Sequence, residues 1–319
     1  MGEQCDVLLY GDLVLDIIFY LKDQLVITSG SYIVENAYVS PGGAAANTAV
    51  ALSRLGVSSC LISAVGYDVV GKYLLEDLVK ENASIKYVKV LEDKGSGIVV
   101  SIVTSRREKT LLSYRNACRE NIVPLIEVLN ELKQAKIVYA SGYVFDNVDQ
   151  GLSLVKLFNT AREYGVKTFL ELGGLPFDKV KALSELKGLV DFITLNEWEL
   201  GAYFKALDAS QALIKLHEML RPEIVFVKMG DKGSILYDGR ETEVVPPCNV
   251  NAVDPTGCGD AYNAGVIYGL IHGLNPVKAA QVGNAMGAYK IMGHGARFFP
   301  MNISELEAFM EKNCSWNLG

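Results

Sequence analysis

Short, continuously apolar runs bounded by turn residues recur along this 319-residue chain: CDVLLYG (5–11), SSCLISAVG (58–66), AKIVYASG (135–142), VKTFLELGG (166–174), VDFITLN (190–196) and EIVFVKMG (223–230). Segments with a helical rhythm lie between most of them, among them GAAANTAVALSRLG (43–56), VDQGLSLVKLFNTAREYG (148–165) and NEWELGAYFKALD (196–208). Strands that are apolar on both sides and alternate with helices predict a parallel sheet covered on both faces, a doubly wound α/β core. Two regions break the alternation. Residues 17–40, with SYIVENAYVS, and 85–115, with IKYVKV, GIVVSIVTS and EKTLLSYR, show period-two patterning and tight spacing. They predict antiparallel strands inserted around the first helix as a small β lid over one edge of the sheet. No repeat, low-complexity tract or long Pro/Gly linker divides the chain, so residues 1–319 read as one domain carrying this lid.

Composition acts mainly by exclusion. Half the residues are hydrophobic, 21% are charged and the net charge is −7. This describes a globular chain with a real core and with no general attraction for nucleic acid or an anionic membrane. A polyanionic ligand then needs local devices: helix N-termini, a few basic side chains or a divalent metal. The N-terminus has acidic residues where a secretion signal has basic ones, and no apolar run is long enough to span a bilayer, so the expected location is the cytoplasm. The six cysteines form no Cys-x-x-Cys pair and have no neighbouring histidine at ligand spacing, which argues against structural zinc.

Two nucleotide-binding motifs are approached and missed. GYDVVGKY (66–73) has the spacing of a P-loop, but Tyr73 stands where a hydroxyl should reach magnesium and Asp68 would put a carboxylate into the phosphate cradle. Asp68 fits better as a helix N-cap. TGCGDAY (256–262) contains Gly-x-Gly, but Tyr262 occupies the position of the third glycine of a dinucleotide fingerprint. No Gly-x-Ser-x-Gly elbow accompanies the three histidines.

Five constellations remain. In VDPTGCGDAYNAG (253–265), Gly257, Cys258 and Gly259 open a helix whose free backbone N–H groups and dipole suit an anion. Asp260, set beside that anion, suits a general base, or else simply complements the dipole. In PGGAAANTAVALSRLG (41–56), Gly42 and Gly43 open a small-residue helix on which Asn47 faces either a pocket or a tightly packed core. In TLNEWEL, Asn196 and Glu199 have the spacing of a capping box and equally that of a polar pair ordering hydrated magnesium beside phosphates. In GDLVLDI, Asp12 and Asp16 lie around the end of the first strand, where open α/β sheets bind ligands. Lys228, Gly230 and Gly233 in VKMGDKGS border a nucleotide or form a tight turn.

Together these segments resemble the ribokinase-like, or pfkB, family of carbohydrate kinases. GGAAANTAVALSRLG is similar to its first signature, DPTGCGDAYNAG to its second, and NEWE to its Asn-x-x-Glu motif, in family order along nearly the whole chain. The resemblance implies a mostly parallel central sheet with a β lid, and magnesium-dependent transfer of the ATP γ-phosphate to a substrate hydroxyl. By position it implies that Asp260 is the catalytic base, with the N–H groups of Gly257, Cys258 and Gly259 as anion hole. Asp12, Asp16, Gly42, Gly43, Asn47 and, from a lid-adjacent segment, Arg115 would hold the substrate. Asn196, Glu199, Lys228, Gly230, Gly233 and Asn284 would serve the nucleotide, with Glu199 reaching Mg2+ through water. Asp254, with the loop near Gly295, resembles the monovalent-cation site of several members, so K+ is an expected cofactor.

Two departures bear on the substrate and on reactivity. Cys258 replaces the commoner alanine, and Val14 stands where ribokinases proper usually have asparagine, which puts ribose itself in doubt. The expected activity is that of a sugar or sugar-acid kinase. A nucleoside kinase comes second, with Tyr32 or Tyr38 stacking on the base, then a polyol kinase such as one for inositol; a non-catalytic ligand-binding regulator is a further alternative. A homodimer through the β lid is compatible with the pattern.

Overall fold

The computed structural model describes residues 4–21, 33–104, 109–205, 207–314 and 316. Nine strands form the large sheet: β1 (Val7–Tyr10), β4 (Ser59–Gly66), β5 (Ser84–Leu91), β8 (Ile137–Ser141), β9 (Lys167–Glu171), β10 (Phe192–Asn196), β11 (Ile224–Lys228), β12 (Ser234–Tyr237) and β13 (Thr242–Val245). Their order is β13-β12-β11-β10-β9-β8-β1-β4-β5. The seven strands from β11 to β5 pair in parallel, and β12 and β13 add an antiparallel edge. All six apolar runs are therefore strands of one parallel sheet. Their side chains divide by period two: Val7 and Leu9 enter the core on one face, Leu8 and Tyr10 the core on the other.

The lid is a second sheet, β3-β2-β6-β7, built from β2 (Val14–Leu21), β3 (Val34–Gly42), β6 (Gly97–Val103) and β7 (Lys109–Tyr114). Its two hairpin-like pairs, β2 with β3 and β6 with β7, are antiparallel, while the central β2–β6 pair is parallel. Part of the expected lid lies elsewhere: IKYVKV is β5, which pairs in parallel with β4 at the edge of the large sheet. Its pattern is that of an edge strand packed less fully than its neighbours: Tyr87 enters the core on one face, Ile85 and Val88 pack partly buried against the other, and Lys86 and Lys89 are exposed. Asp16 likewise belongs to the lid strand β2 and not to the end of the first strand.

The helices are α1 (Ala44–Arg54), α2 (Val69–Lys80), α3 (Asn116–Arg119), α4 (Leu125–Leu132), α5 (Leu152–Glu163), α6 (Glu197–Tyr203), α7 (Ala209–Leu220), α8 (Cys258–Ile271), α9 (Pro276–Ile291) and α10 (Ile303–Asn313). Helix α8 is buried on nearly all sides from Ala261 to Ile267. It lies so close to α9 that a methyl on Gly265 would come within 2.7 Å of the Val282 carbonyl oxygen. Disulfides join Cys5 to Cys60 and Cys248 to Cys314. Metal-ligand spacing could not reveal pairs whose partners stand 55 and 66 residues apart. Among the described residues no helix is long and apolar enough to cross a membrane.

Asp68 caps α2 and also ties the lid to the body. Its Oδ1 accepts from Gly71 N–H (2.7 Å) and the Ser96 hydroxyl (2.7 Å), and its Oδ2 accepts from Ser96 N–H (2.7 Å). Burial pushes its pKa up, but the donors from Ser96 and Gly71 outweigh burial and hold it below the ordinary carboxylate value. A group with a depressed folded-state pKa stabilises the fold above its unfolded pKa and loses that contribution as pH falls. Asp68→Ala is therefore expected to cost about 1 kcal/mol in urea unfolding at neutral pH. The difference should shrink below about pH 4, where the unfolded carboxyl protonates.

Candidate active site

Ligand sites of open α/β sheets form beyond the carboxyl ends of the strands, where strand order reverses. Here the reversal falls at β1, which has β8 on one side and β4 on the other. A cleft of about 410 Å3 opens there under the lid. The strand ends supply Asp12 after β1, Tyr143 after β8, Glu171 at the end of β9, Asn196 at the end of β10 and Lys228 at the end of β11. The lid contributes Val14, Asp16 and Ile18 from β2, with Val99, Ser101, Leu111 and Ser113 from β6 and β7. These share the inner face: Asp16 stands beside Ser40 and Val99, and Val99 beside Ser113.

The N-terminus of α8 forms the floor. Gly257 is its N-cap at φ 80°, a conformation that favours glycine, and a methyl there would fall 2.3 Å from the Ala296 carbonyl oxygen. No side chain caps the helix, so its first-turn N–H groups are presented by backbone alone. The Cys258 N–H donates to the Pro255 carbonyl (3.2 Å). Burial pushes the Cys258 thiol pKa up, which keeps it protonated and a poor nucleophile.

Asp260 lies in the first turn of α8 and its Oδ2 accepts from Asn47 Nδ2 (2.7 Å). Asn47 Oδ1 in turn accepts from Arg297 Nε (2.8 Å), and the Arg297 guanidinium pairs with Asp77 on α2. Both ends of the Asn47 amide are thus engaged, and the arginine fixes the NH2 end toward Asp260. On the opposite side Lys228 Nζ donates to Glu171 Oε1 (2.9 Å), and the Tyr139 hydroxyl donates to Glu171 Oε2 (2.6 Å). A methyl on Gly259 would stand 3.2 Å from Lys228 Nζ, so the pair lies against the first turn of α8.

Five carboxylates, Asp12, Asp16, Glu171, Glu199 and Asp260, border the cleft; Asp12 is held by Arg115 and Glu171 by Lys228. Burial raises the Glu171 pKa, but the Lys228 ammonium and the Tyr139 hydroxyl outweigh burial and hold it low. Burial raises that of Asp260, and the nearby Glu171 charge adds to the rise. Burial also raises Glu199, against the pull of Lys228. Glu171 is thus the ionised partner of Lys228, and Asp260 retains its proton above the ordinary carboxylate range.

Most of the expected residues converge. Asp12, Asp16, Gly43, Asn47, Arg115, Asn196, Glu199, Lys228, Gly230, Gly257, Cys258, Gly259 and Asp260 all border the cleft. Gly42 supports it from behind, since a methyl there would fall 2.0 Å from Asp16 Oδ2. Asp12 and Arg115 engage each other, with Arg115 Nε and Nη2 each 2.7 Å from an Asp12 oxygen. Asn196 and Glu199 form the full capping box, Glu199 N–H donating to Asn196 Oδ1 (2.7 Å) and Asn196 N–H to Glu199 Oε2 (2.9 Å). Gly233 and Asn284 do not reach this cleft. Gly233 turns β11 into β12 at φ 88°, and Asn284 Nδ2 donates to the carbonyls of Val245 (3.1 Å) and Pro246 (3.0 Å). Tyr32 lies outside the described residues, and Tyr38 stacks on His294 with ring centroids 5.2 Å apart.

The Asp254 carboxylate accepts from the backbone N–H groups of Thr256 (2.9 Å) and Gly295 (2.9 Å). Sequence reading overlooked Glu171, Tyr139, Arg297 and Lys290. For Glu171 one signal was present, a carboxylate closing the otherwise apolar buried strand TFLE.

Comparison with known proteins places this architecture. Residues 5–303 match the pfkB family of carbohydrate kinases, and the chain belongs to that family. An ATP-dependent 6-phosphofructokinase of Thermoanaerobacterium thermosaccharolyticum is 29% identical over 265 residues, 80% of each chain. Among solved structures, Arabidopsis thaliana ribokinase complexed with ribose and ATP superposes with a TM-score of 0.81 at 21% identity, covering 97% of this chain and 99% of that one. A Burkholderia thailandensis nucleoside kinase in complex with inosine does so at 0.80 and 22%, covering 98% and 99%. The fold is therefore the ribokinase fold, and the protein is a kinase of the pfkB family.

The elevated Asp260 pKa has a consequence for stability. An acid whose folded-state pKa is raised stabilises the fold below its unfolded pKa, and that contribution is lost as pH rises. Asp260→Asn, which keeps an acceptor for Asn47, is expected to melt above the wild type, with the gap widening from about pH 4 upward. A gap that stays constant or closes with rising pH would contradict the assignment.

Proposed function

We propose that this chain transfers the γ-phosphoryl group of ATP to a hydroxyl of a small sugar or sugar acid. The observation that carries the reading is the placement of Asp260. Its carboxyl is aimed by Asn47, sits in the first turn of an uncapped helix and shares one cleft with the lid carboxylate Asp16. Asp16 offers two acceptor oxygens to neighbouring substrate hydroxyls. Asp260 takes the proton of the attacking hydroxyl as its oxygen bonds to the γ-phosphorus and the bond to ADP breaks. The N–H groups at the start of α8, with Lys228 beside them, meet the charge on the transferring group.

Among the described residues no cluster of three His, Cys, Asp or Glu cages a metal. That suits Mg2+, which is commonly held by one or two carboxylates, water and substrate phosphates. Glu199 on the nucleotide side of the cleft would hold it through water, and the ion would offset the excess of carboxylates as the nucleotide enters. The capping role of Glu199 is compatible with this, since only one of its oxygens is recorded on the Asn196 N–H.

The sugar reading is favoured over the nucleoside reading by the lid aromatics. Tyr38 is stacked on His294 and meets Tyr20 edge-on (5.8 Å), so its ring already serves packing within the protein. The outer row of the lid exposes Val39 and Leu112, which supports a homodimer formed through that sheet.

A screen of sugars, sugar acids, polyols and nucleosides with ATP and magnesium tests the reading. The highest kcat/KM is expected on a free sugar or sugar acid; adenosine, inosine or cytidine outperforming every sugar would replace it with the nucleoside reading. On the best acceptor, Asp260→Asn is expected to lower kcat by roughly 10²-fold or more while nucleotide still binds. Glu199→Gln is expected to raise the magnesium requirement more than it lowers the melting temperature. The reverse pattern would leave Glu199 with its cap alone.

A further inference from the structure

Among the described residues Lys290 is the one lysine that is fully buried, at 0% exposure near the end of α9. A buried ammonium is costly unless polar groups surround it. Its Nζ donates to the carbonyl oxygens of Asp254 (2.8 Å) and Gly293 (3.0 Å). The Asp254 carboxylate is close enough for the Lys290 charge to act on it, and it is pinned by N–H groups on both sides of the same junction. Backbone carbonyls backed by a carboxylate are also the donor set of an alkali ion. The resemblance to the pfkB family implies such an ion at Asp254. The residues do not fit it, because carbonyls of both turns that enclose the Asp254 carboxylate are already turned to a tethered cation. A second positive charge beside the first would be repelled in this interior.

We propose that the Lys290 ammonium is a built-in monovalent cation, so that this protein works without potassium or any other alkali ion. Lys290 acts as a positioning residue through two turns. Asp254 is three residues from Gly257, which opens the anion hole. Gly293 leads to Arg297, whose guanidinium aims Asn47 at Asp260. The turns meet where Gly257 lies against Ala296. His294, between Gly293, whose carbonyl accepts from Lys290, and Gly295, whose N–H donates to Asp254, stacks on Tyr38 of the lid. One fixed charge therefore organises the anion hole, the orientation of the base and a lid contact together.

The activity half of the test rests on the kinase reading above; the stability half does not. Wild-type turnover and melting temperature are to be measured at constant ionic strength in potassium, sodium and N-methyl-D-glucamine chlorides, beside Lys290→Ala, which removes the charge and leaves room for an ion. The wild type is expected to be indifferent to the cation in both measurements. The variant is expected to lose activity by roughly tenfold or more in N-methyl-D-glucamine, the scale of supporting-shell substitutions. Potassium should restore much of it, and should raise the melting temperature of the variant with saturation.

A several-fold activation or a specific stabilisation of the wild type by potassium would overturn the proposal. So would a Lys290→Ala protein whose stability and activity show no preference between potassium and N-methyl-D-glucamine. If Lys290→Ala does not fold, the wild-type comparison decides the matter alone. If no acceptor is phosphorylated, the kinase reading fails while the melting curves still judge the cation.

Discussion

One buried ion pair, Lys228 with Glu171 at 2.9 Å, sets the chemistry of the cleft. Five carboxylates border the cleft beyond the carboxyl ends of the parallel strands, and this ammonium stands among them. Its place between adjacent strand ends, across from the first turn of α8, decides which carboxylate is ionised. Glu171, held also by Tyr139, carries the charge, and burial first, with that charge adding to it, keeps the proton on Asp260. In the reaction proposed above, a carboxyl held in this way ionises as the positive charge of the metal arrives with the nucleotide.

The rest of the fold serves that arrangement from two directions. The parallel sheet brings Glu171, Asn196 and Lys228 into line because β9, β10 and β11 are hydrogen-bonded neighbours ending at a common edge. The helix α8 reaches the same edge from the other side, and small residues let it lie against α9 with little space between them. Arg297 then locks Asn47, so the Asp260 carboxyl is aimed by a relay that begins outside the cleft, at Asp77 on α2. The lid closes the far side with Asp16, whose carboxylate fits only because residue 42 is glycine.

Much of this was legible in the sequence, for local reasons. Continuous apolar runs identified six strands of the parallel sheet, and Asp68 and Asn196 announced their caps by spacing alone. The glycines around Asp260 marked a helix start where backbone must be exposed. What was not legible depends on contacts between segments far apart in the chain. Glu171, Arg297 and Lys290 carried no local signature of their roles, because their partners stand 57, 250 and 36 residues away. Arg115 and Asp12 looked like independent substrate ligands and prove to be each other's partner across 103 residues. The edge strand β5 was assigned to the lid because period-two patterning does not say which sheet a strand joins.

The most direct test is to follow the Asp260 carboxyl itself by isotope-edited infrared spectroscopy during a pH titration, using Asp260→Asn to assign its band. The protonated band should persist well above the ordinary carboxylate range. It should move to lower pH when magnesium and a non-hydrolysable nucleotide are added, and also when Glu171→Gln removes the neighbouring charge. A band that disappears near pH 4 with the surface carboxylates, and that responds to neither change, would contradict the central role given to the Lys228–Glu171 pair.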